Sequence, residues 1–367
     1  MRETTFSNWI LFEYKSIYES LPTYRIIYVF LIFAVVLPKY VWIGKYPDTF
    51  FLPRVSFTMF FSNFPDVTFF YLLIFLLILS LLALLVGYKI FYSSLAVTLF
   101  LFIGNSWEYS FGKVNHDIVL ILIPLLLAFC SWGEREAKSG TQSQYNISVI
   151  PILVLLLALA MLTAAWAKIS TGWLDPNVAA LPGHLVRNYF VAGRETITAS
   201  LLLSQGSFQL FKALDYGTII IESAFILSIF SLKYFRLVCA FACLFHFGVQ
   251  LSLGISFMPN IIAYGLLVNW GYLKNFDSLK ALHSKFQTLS QNIGIANILI
   301  VSIPIWLIYS IWGNPFSMGF GLTYIFGANL VKTLFMLAAV VISLRYIFEL
   351  LGGFLQSARL GLEGQKA

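Results

Sequence analysis

Long apolar runs, separated by short polar stretches, recur from one end of the chain to the other. A membrane-spanning helix needs about 20 consecutive apolar residues. Windows of that character lie at 24–43, 67–87, 91–106, 116–132, 147–167, 217–232, 235–253, 258–271, 294–312 and 328–351. Two of them, 91–106 and 258–271, are short and read as partial spans. No stretch between the windows is long and mixed enough to make a soluble domain; the longest are 44–66, 168–216 and 272–293. Backbone amides and carbonyls must be satisfied within the segment when lipid surrounds it, which favours helices for such runs. The pattern predicts an all-α, polytopic membrane helical bundle of about eight to ten spans. Ahead of the first window, residues 6–19 mix aromatics with Glu13, Lys15 and Glu19, the composition of a helix lying in the membrane interface. The expected organisation is an N-terminal interfacial segment (1–20), a transmembrane domain (21–352) and a short C-terminal tail (353–367).

Composition strengthens this reading. Of 367 residues, 59% are hydrophobic and 11% charged, against about 25% charged in a soluble domain. Mean hydropathy is +0.85. The net charge of +7 comes from basic residues scattered between apolar runs, so no nucleic-acid partner is expected; such residues set orientation and meet anionic lipid. Cys130, Cys239 and Cys243 all fall within apolar stretches, without the spacing of a disulfide framework. No cleavable signal peptide is expected, because acidic residues precede the first strongly apolar run. With the N-terminus inside and ten alternating spans, Lys and Arg number twelve inside and eight outside, a bias that predicts a cytoplasmic N-terminus in an inner or plasma membrane. The tripeptide Asn146-Ile147-Ser148 then falls inside, so its match to a glycosylation acceptor is read as chance.

Within such a chain the informative residues are ionisable groups inside or at the edge of apolar runs, each costing several kcal/mol if left unpaired in hydrocarbon. Four stand out. His116 lies between Asn115 and Asp117 where a polar turn leads into a span; the simpler reading is a helix N-terminus capped by Asn115. Lys168 closes the run MLTAAWAK. It is either a snorkelling lysine at a helix end or a general base whose charged form is disfavoured by an apolar pocket. Glu222 has apolar neighbours on both sides in GTIIIESAFILSIF, so it must pair, protonate or face a wet cavity. His246 lies deep in a span, one turn before Gln250; the simpler reading is an interhelical hydrogen bond. Cys239, Cys243 and His246 share a helical face at i, i+4 and i+7, but no fourth ligand accompanies them and no metal is expected. Under the ten-span topology the four residues come from four helices and share the outer half of the membrane, predicting a polar cavity open to the outside. The long segment 168–216 is partly apolar and is expected to form short interfacial helices over the cavity mouth. Arg187 within it is placed to bind an anionic group, or serves as a lipid-phosphate anchor. The chain carries no nucleotide-binding Gly-rich loop, no Gly-x-Ser-x-Gly elbow and no His-Glu-x-x-His.

At these positions the sequence resembles the vitamin K-dependent γ-carboxylase-like transmembrane proteins, the HTTM (horizontally transferred transmembrane domain) family. The resemblance rests on Asn115-His116, on Ala165-Trp166-Ala167-Lys168 followed by Gly172-Trp173-Leu174, on the Glu222 helix, and on Phe245-His246 through Leu253-Gly254 to Phe257-Met258-Pro259. It spans roughly residues 20–350, and order and spacing carry it more than any one motif. It implies a membrane enzyme whose site takes a reduced quinone, vitamin K-type or menaquinol, as cofactor. Lys168 sits where the quinol base would be and His116 at a supporting catalytic position, with Glu222 and His246 completing the catalytic set. Trp166, Trp173 and Arg187 are the expected cofactor-binding residues. The carboxylase has a large additional domain that handles protein substrates, and nothing of that size follows residue 352 here, so quinol or lipid chemistry at an outward-facing pocket is the expectation kept. The alternative is a non-enzymatic carrier or accessory subunit for a secreted peptide, lipid or redox partner. Membrane lipids are expected partners; the sequence names no protein partner.

Overall fold

A computed structural model describes residues 6–37, 40–53, 56–112, 118–134, 148–270, 294–312, 325 and 329–364. The described residues are mainly helical, with no strand beyond one isolated bridge between Leu52 and Phe111. Six helices are long and apolar enough to cross a membrane, and two shorter apolar helices, Ile118–Ala128 and Ile295–Ile311, accompany them. The chain divides into two compact units, one formed by Met1–Val154 with Ile262–Met318, the other by Leu155–Ile261 with Gly319–Ala367.

The first unit begins with α1 (Phe6–Leu31), which continues into a π-helical turn at Ile32–Val36. The stretch 6–19 and the first half of the apolar window at 24–43 therefore form one continuous helix, whose Tyr14, Ile17 and Leu21 are buried. Helix α2 (Val67–Val86) starts where the Asp66 carboxylate accepts the Thr68 amide at 2.8 Å and stops at Gly87 in the left-handed region. These are the capping devices expected at a helix's two ends. Hydrogen bonds from the Thr68 side chain and amide hold the Asp66 carboxyl below the usual carboxylate range. Helices α3 (Ile90–Tyr109) and α4 (Ile118–Ala128) follow. The short window at 91–106 thus belongs to a full 20-residue helix. Helix α2 packs against α1, α3 and the later helix Ile295–Trp312. A tight turn after α4 puts Ser131 and Trp132, both at positive φ, against α1. Trp132 is fully buried, donates to the Ser94 hydroxyl at 2.9 Å and stacks on Tyr24, while Arg25 reaches Glu134 at 2.6 Å. Non-glycine residues in the left-handed region cost about 1–2 kcal/mol each, a strain offset here by the burial of the indole.

The second unit contains most of α5 (Val149–Ser170), then α6 (Leu181–Val186), α7 (Ile197–Gln205), α8 (Phe208–Ser228), α9 (Leu232–Leu253) and the start of α10 (Met258–Gly265). At eight residues α10 is only about 12 Å long, so the short window at 258–271 holds a partial span. Helix α11 (Ile295–Trp312) belongs to the first unit, and α12 (Leu330–Gly364) to the second. The span within α12 ends at Gly353 and the helix itself continues to Gly364. Helix α9 packs against α7, α8 and α12. Short helices do form within 168–216, as the sequence predicts, and they enclose a small apolar core of Leu185, Ala199, Phe211 and Leu253. Thr196 fixes this arrangement twice, capping α7 through the Ala199 amide at 3.1 Å and donating to the Leu251 carbonyl at 2.6 Å.

Candidate functional site

The site is built on the last turn of α5 and the middle of α8. Lys168 Nζ lies 2.8 Å from each Glu222 carboxylate oxygen, with 24% of the lysine side chain and 8% of the glutamate side chain exposed. Two residues 54 apart in sequence, each singled out because it cannot face lipid alone, thus meet directly. Both hydrogen bonds are charge-assisted. The lysine is the more exposed of the two.

The chain turns sharply as it leaves Lys168. The Trp173 amide donates to the Lys168 carbonyl at 3.1 Å and the Gly172 amide to the Ile169 carbonyl at 3.2 Å. That is a Schellman end, which requires a left-handed residue, and Gly172 supplies it at φ 86°. The turn brings the Trp173 ring back to 5.6 Å from Lys168 Nζ, within cation–π range. His184, on α6, lies with its ring 5.6 Å from that indole.

Two residues not singled out from the sequence hold this segment. Lys212 and Asp215 lie on α8 and are buried, 6% and 1% exposed. Lys212 Nζ donates to the carbonyls of Trp173 at 2.5 Å and Val178 at 2.8 Å, and covers the Tyr216 ring at 4.7 Å. The Asp215 carboxylate accepts the Ala180 amide at 2.8 Å and the Leu181 amide at 3.2 Å. With Glu222 they occupy one face of α8, at i, i+3 and i+10. That periodicity was the available signal; it was hidden because the apolar window at 217–232 begins after Lys212 and Asp215, whereas the helix begins at Phe208.

His246 is buried on α9, its ring stacked on Phe257 at 4.4 Å and tilted against Phe245 at 5.4 Å. One turn on, Gln250 is fully buried, and neither atom of its amide finds a hydrogen-bond partner among the described residues. Trp166 is 67% exposed and, two positions before Lys168, points from the opposite side of α5. Arg187 is exposed where α6 passes into a π-helical turn. His116 lies outside the described residues. Among the described residues no three His, Cys, Asp or Glu side chains gather as metal ligands.

Comparison with protein-family models, curated proteins and solved structures gives no match. The class is defined by the helices themselves: this is a multi-pass integral membrane protein. Its second unit carries a largely buried lysine–glutamate pair at the end of a membrane-spanning helix.

Proposed function

We propose that the protein is a membrane enzyme akin to the transmembrane core of the vitamin K-dependent γ-carboxylase, acting on a reduced quinone at the Lys168–Glu222 pair. The observation that carries the reading is the pair itself, with both carboxylate oxygens at 2.8 Å from Nζ and the lysine the more exposed of the two. The residues fit such a group: a nitrogen able to exchange a proton, an acid partner to neutralise it, and the Trp173 indole as a flat apolar wall. A reduced quinone, when bound, supplies a phenolic hydroxyl and a ring that reacts with oxygen.

Lys168 begins as an ammonium and so is not yet a base. An apolar ring against its open side excludes water, and two adjacent charges become costly in the drier site. Transfer of a proton from Nζ to a Glu222 oxygen turns the ion pair into a neutral amine and a carboxylic acid. With a quinol hydroxyl bound there, the Lys168 amine would be the group placed to take its proton at Nζ, with Glu222 keeping the first proton as a neutral acid. Trp173 holds its π face toward the Lys168 ammonium. Orientation of the site toward the outside remains part of the proposal, as does assistance from His116 and His246.

In a second reading, a carrier or accessory subunit, the Lys168–Glu222 ion pair serves only to hold α5 to α8. One substitution separates the two. Lys168→Arg keeps two donors for the Glu222 carboxylate but cannot lose its proton at any ordinary pH. The enzyme reading expects normal insertion and stability with activity lost as fully as in Lys168→Ala, roughly 10²–10⁴-fold. Activity is followed as turnover of a copurifying quinol, identified by mass spectrometry of lipids extracted from the protein in mild detergent, or as a cellular phenotype. Full function in the Arg variant would overturn the enzyme reading.

A further inference from the structure

We infer that Lys212 and Asp215 are positioning residues: from α8 they clamp the strap 171–184 in place, so that Trp173 and His184 form a fixed wall beside the Lys168–Glu222 pair. The inference depends on the proposed activity only for what the wall encloses. Its basis is geometric. Lys212 holds the carbonyl of Trp173 itself and that of Val178, and Asp215 holds the two amides that open α6. The clamp therefore grips the strap at 173, 178, 180 and 181, on both sides of its least regular part, where Leu174 is 46% and Val178 54% exposed.

The choice of residues is the second argument. Packing alone would hold the strap with apolar side chains, as Leu185 and Phe211 do nearby. Burying an ammonium and a carboxylate against backbone dipoles carries a desolvation cost that their hydrogen bonds must offset. Apolar contacts are non-directional, whereas an ammonium that donates to two carbonyls and a carboxylate that accepts two amides fix backbone position and register. The Schellman turn at Gly172 brings Trp173 back toward Lys168. The clamp fixes where its carbonyl lies and hence which way its ring faces. Asp215, by fixing the first residues of α6, sets His184 against that ring. Lys212, Asp215 and Glu222 share one face of one helix, so wall and ion pair are referred to the same rigid element.

The test needs no quinone. A fluorotryptophan is placed at position 173 of the full chain by codon suppression, and its ¹⁹F resonance is read in detergent micelles. Replacing the pair together, Lys168→Met with Glu222→Gln, removes the ammonium from the ring without stranding a carboxylate, and should shift the resonance. In a Lys212→Met background the same paired replacement should shift it by less than half as much, because the ring no longer holds its place. Lys212→Arg, which still donates to both carbonyls, should restore the response. Thermal unfolding shows that each variant is folded; should Lys212→Met fail to fold, Asp215→Asn carries the test, with the same reduced response expected. An undiminished response in Lys212→Met or Asp215→Asn would overturn the clamp. So would the absence of any shift in the parent chain, since the ring would not then stand beside the ammonium.

Discussion

Replacing Lys168 by methionine keeps a long unbranched stem and removes the cation, which isolates what the pair contributes. Unit charges about 3 Å apart attract by roughly 5–6 kcal/mol at an effective dielectric of 20. The lysine's 24% exposure and the desolvation of both groups offset much of this. The cost of the substitution is set by what happens to Glu222, which is 8% exposed and would lose both hydrogen bonds. The carboxyl can escape by taking a proton, and bringing an ordinary glutamate to its acid form costs about 3.7 kcal/mol at pH 7 and about 1 kcal/mol at pH 5. Protonation caps the penalty, so Lys168→Met should destabilise by about 3–4 kcal/mol at pH 7 and by about 1 kcal/mol at pH 5. The sign follows from linkage: the folded variant binds a proton that the unfolded chain releases, so its stability falls as pH rises. Removing both charges with Lys168→Met and Glu222→Leu strands nothing, and should return stability to within about 1 kcal/mol of the parent. Thermal unfolding of the parent, Lys168→Met, Glu222→Leu and the double variant in detergent, at both pH values, completes the cycle. A loss below about 1 kcal/mol at pH 7, or one that does not shrink toward pH 5, would refute the reasoning and leave Lys168 as a snorkelling lysine.

Three further outcomes are expected. Cysteine labelling of intact cells should modify a cysteine placed in 168–216 and spare one in 133–146; the reverse would overturn the orientation and the outward-facing site. Gly133 adopts φ 74° and a Cβ there would strike the Tyr18 carbonyl oxygen, so Gly133→Ala should destabilise the first unit by more than about 2 kcal/mol. Ser131→Gly, relieving φ 48°, should be neutral or stabilising by up to about 1 kcal/mol; both are read by thermal unfolding, and a harmless Gly133→Ala would contradict the strained turn. Gln250 has both amide atoms buried without partners among the described residues, so Gln250→Met should stabilise the folded protein by about 1–3 kcal/mol; destabilisation would show that the amide is satisfied in the folded state.

Much of the architecture was legible in the chain because hydropathy is a local property. A run of apolar residues must become a helix wherever lipid leaves the backbone no other partner, and each of the ten apolar windows holds a helix over part or all of its described length. Their lengths were less legible. The window at 91–106 ends on the polar residues Asn105 and Ser106, and its helix continues past them through Glu108 to Tyr109, because buried contacts there replace what lipid would not supply. The window at 258–271 looked like its equal and is a helix of eight residues. The candidate site divides in the same way. That Glu222 had to pair, protonate or meet water followed from the cost of a lone charge among apolar neighbours; that its partner is Lys168, which the sequence left as a snorkelling lysine or a base, depends on how α5 and α8 are placed. Lys212 and Asp215 escaped notice because their partners are backbone carbonyls and amides, which every residue carries and no sequence pattern marks. Sequence determined which segments enter the membrane and which charges could not remain alone there. Tertiary structure decided the pairings, because a hydrogen bond depends on distance and direction between groups far apart along the chain.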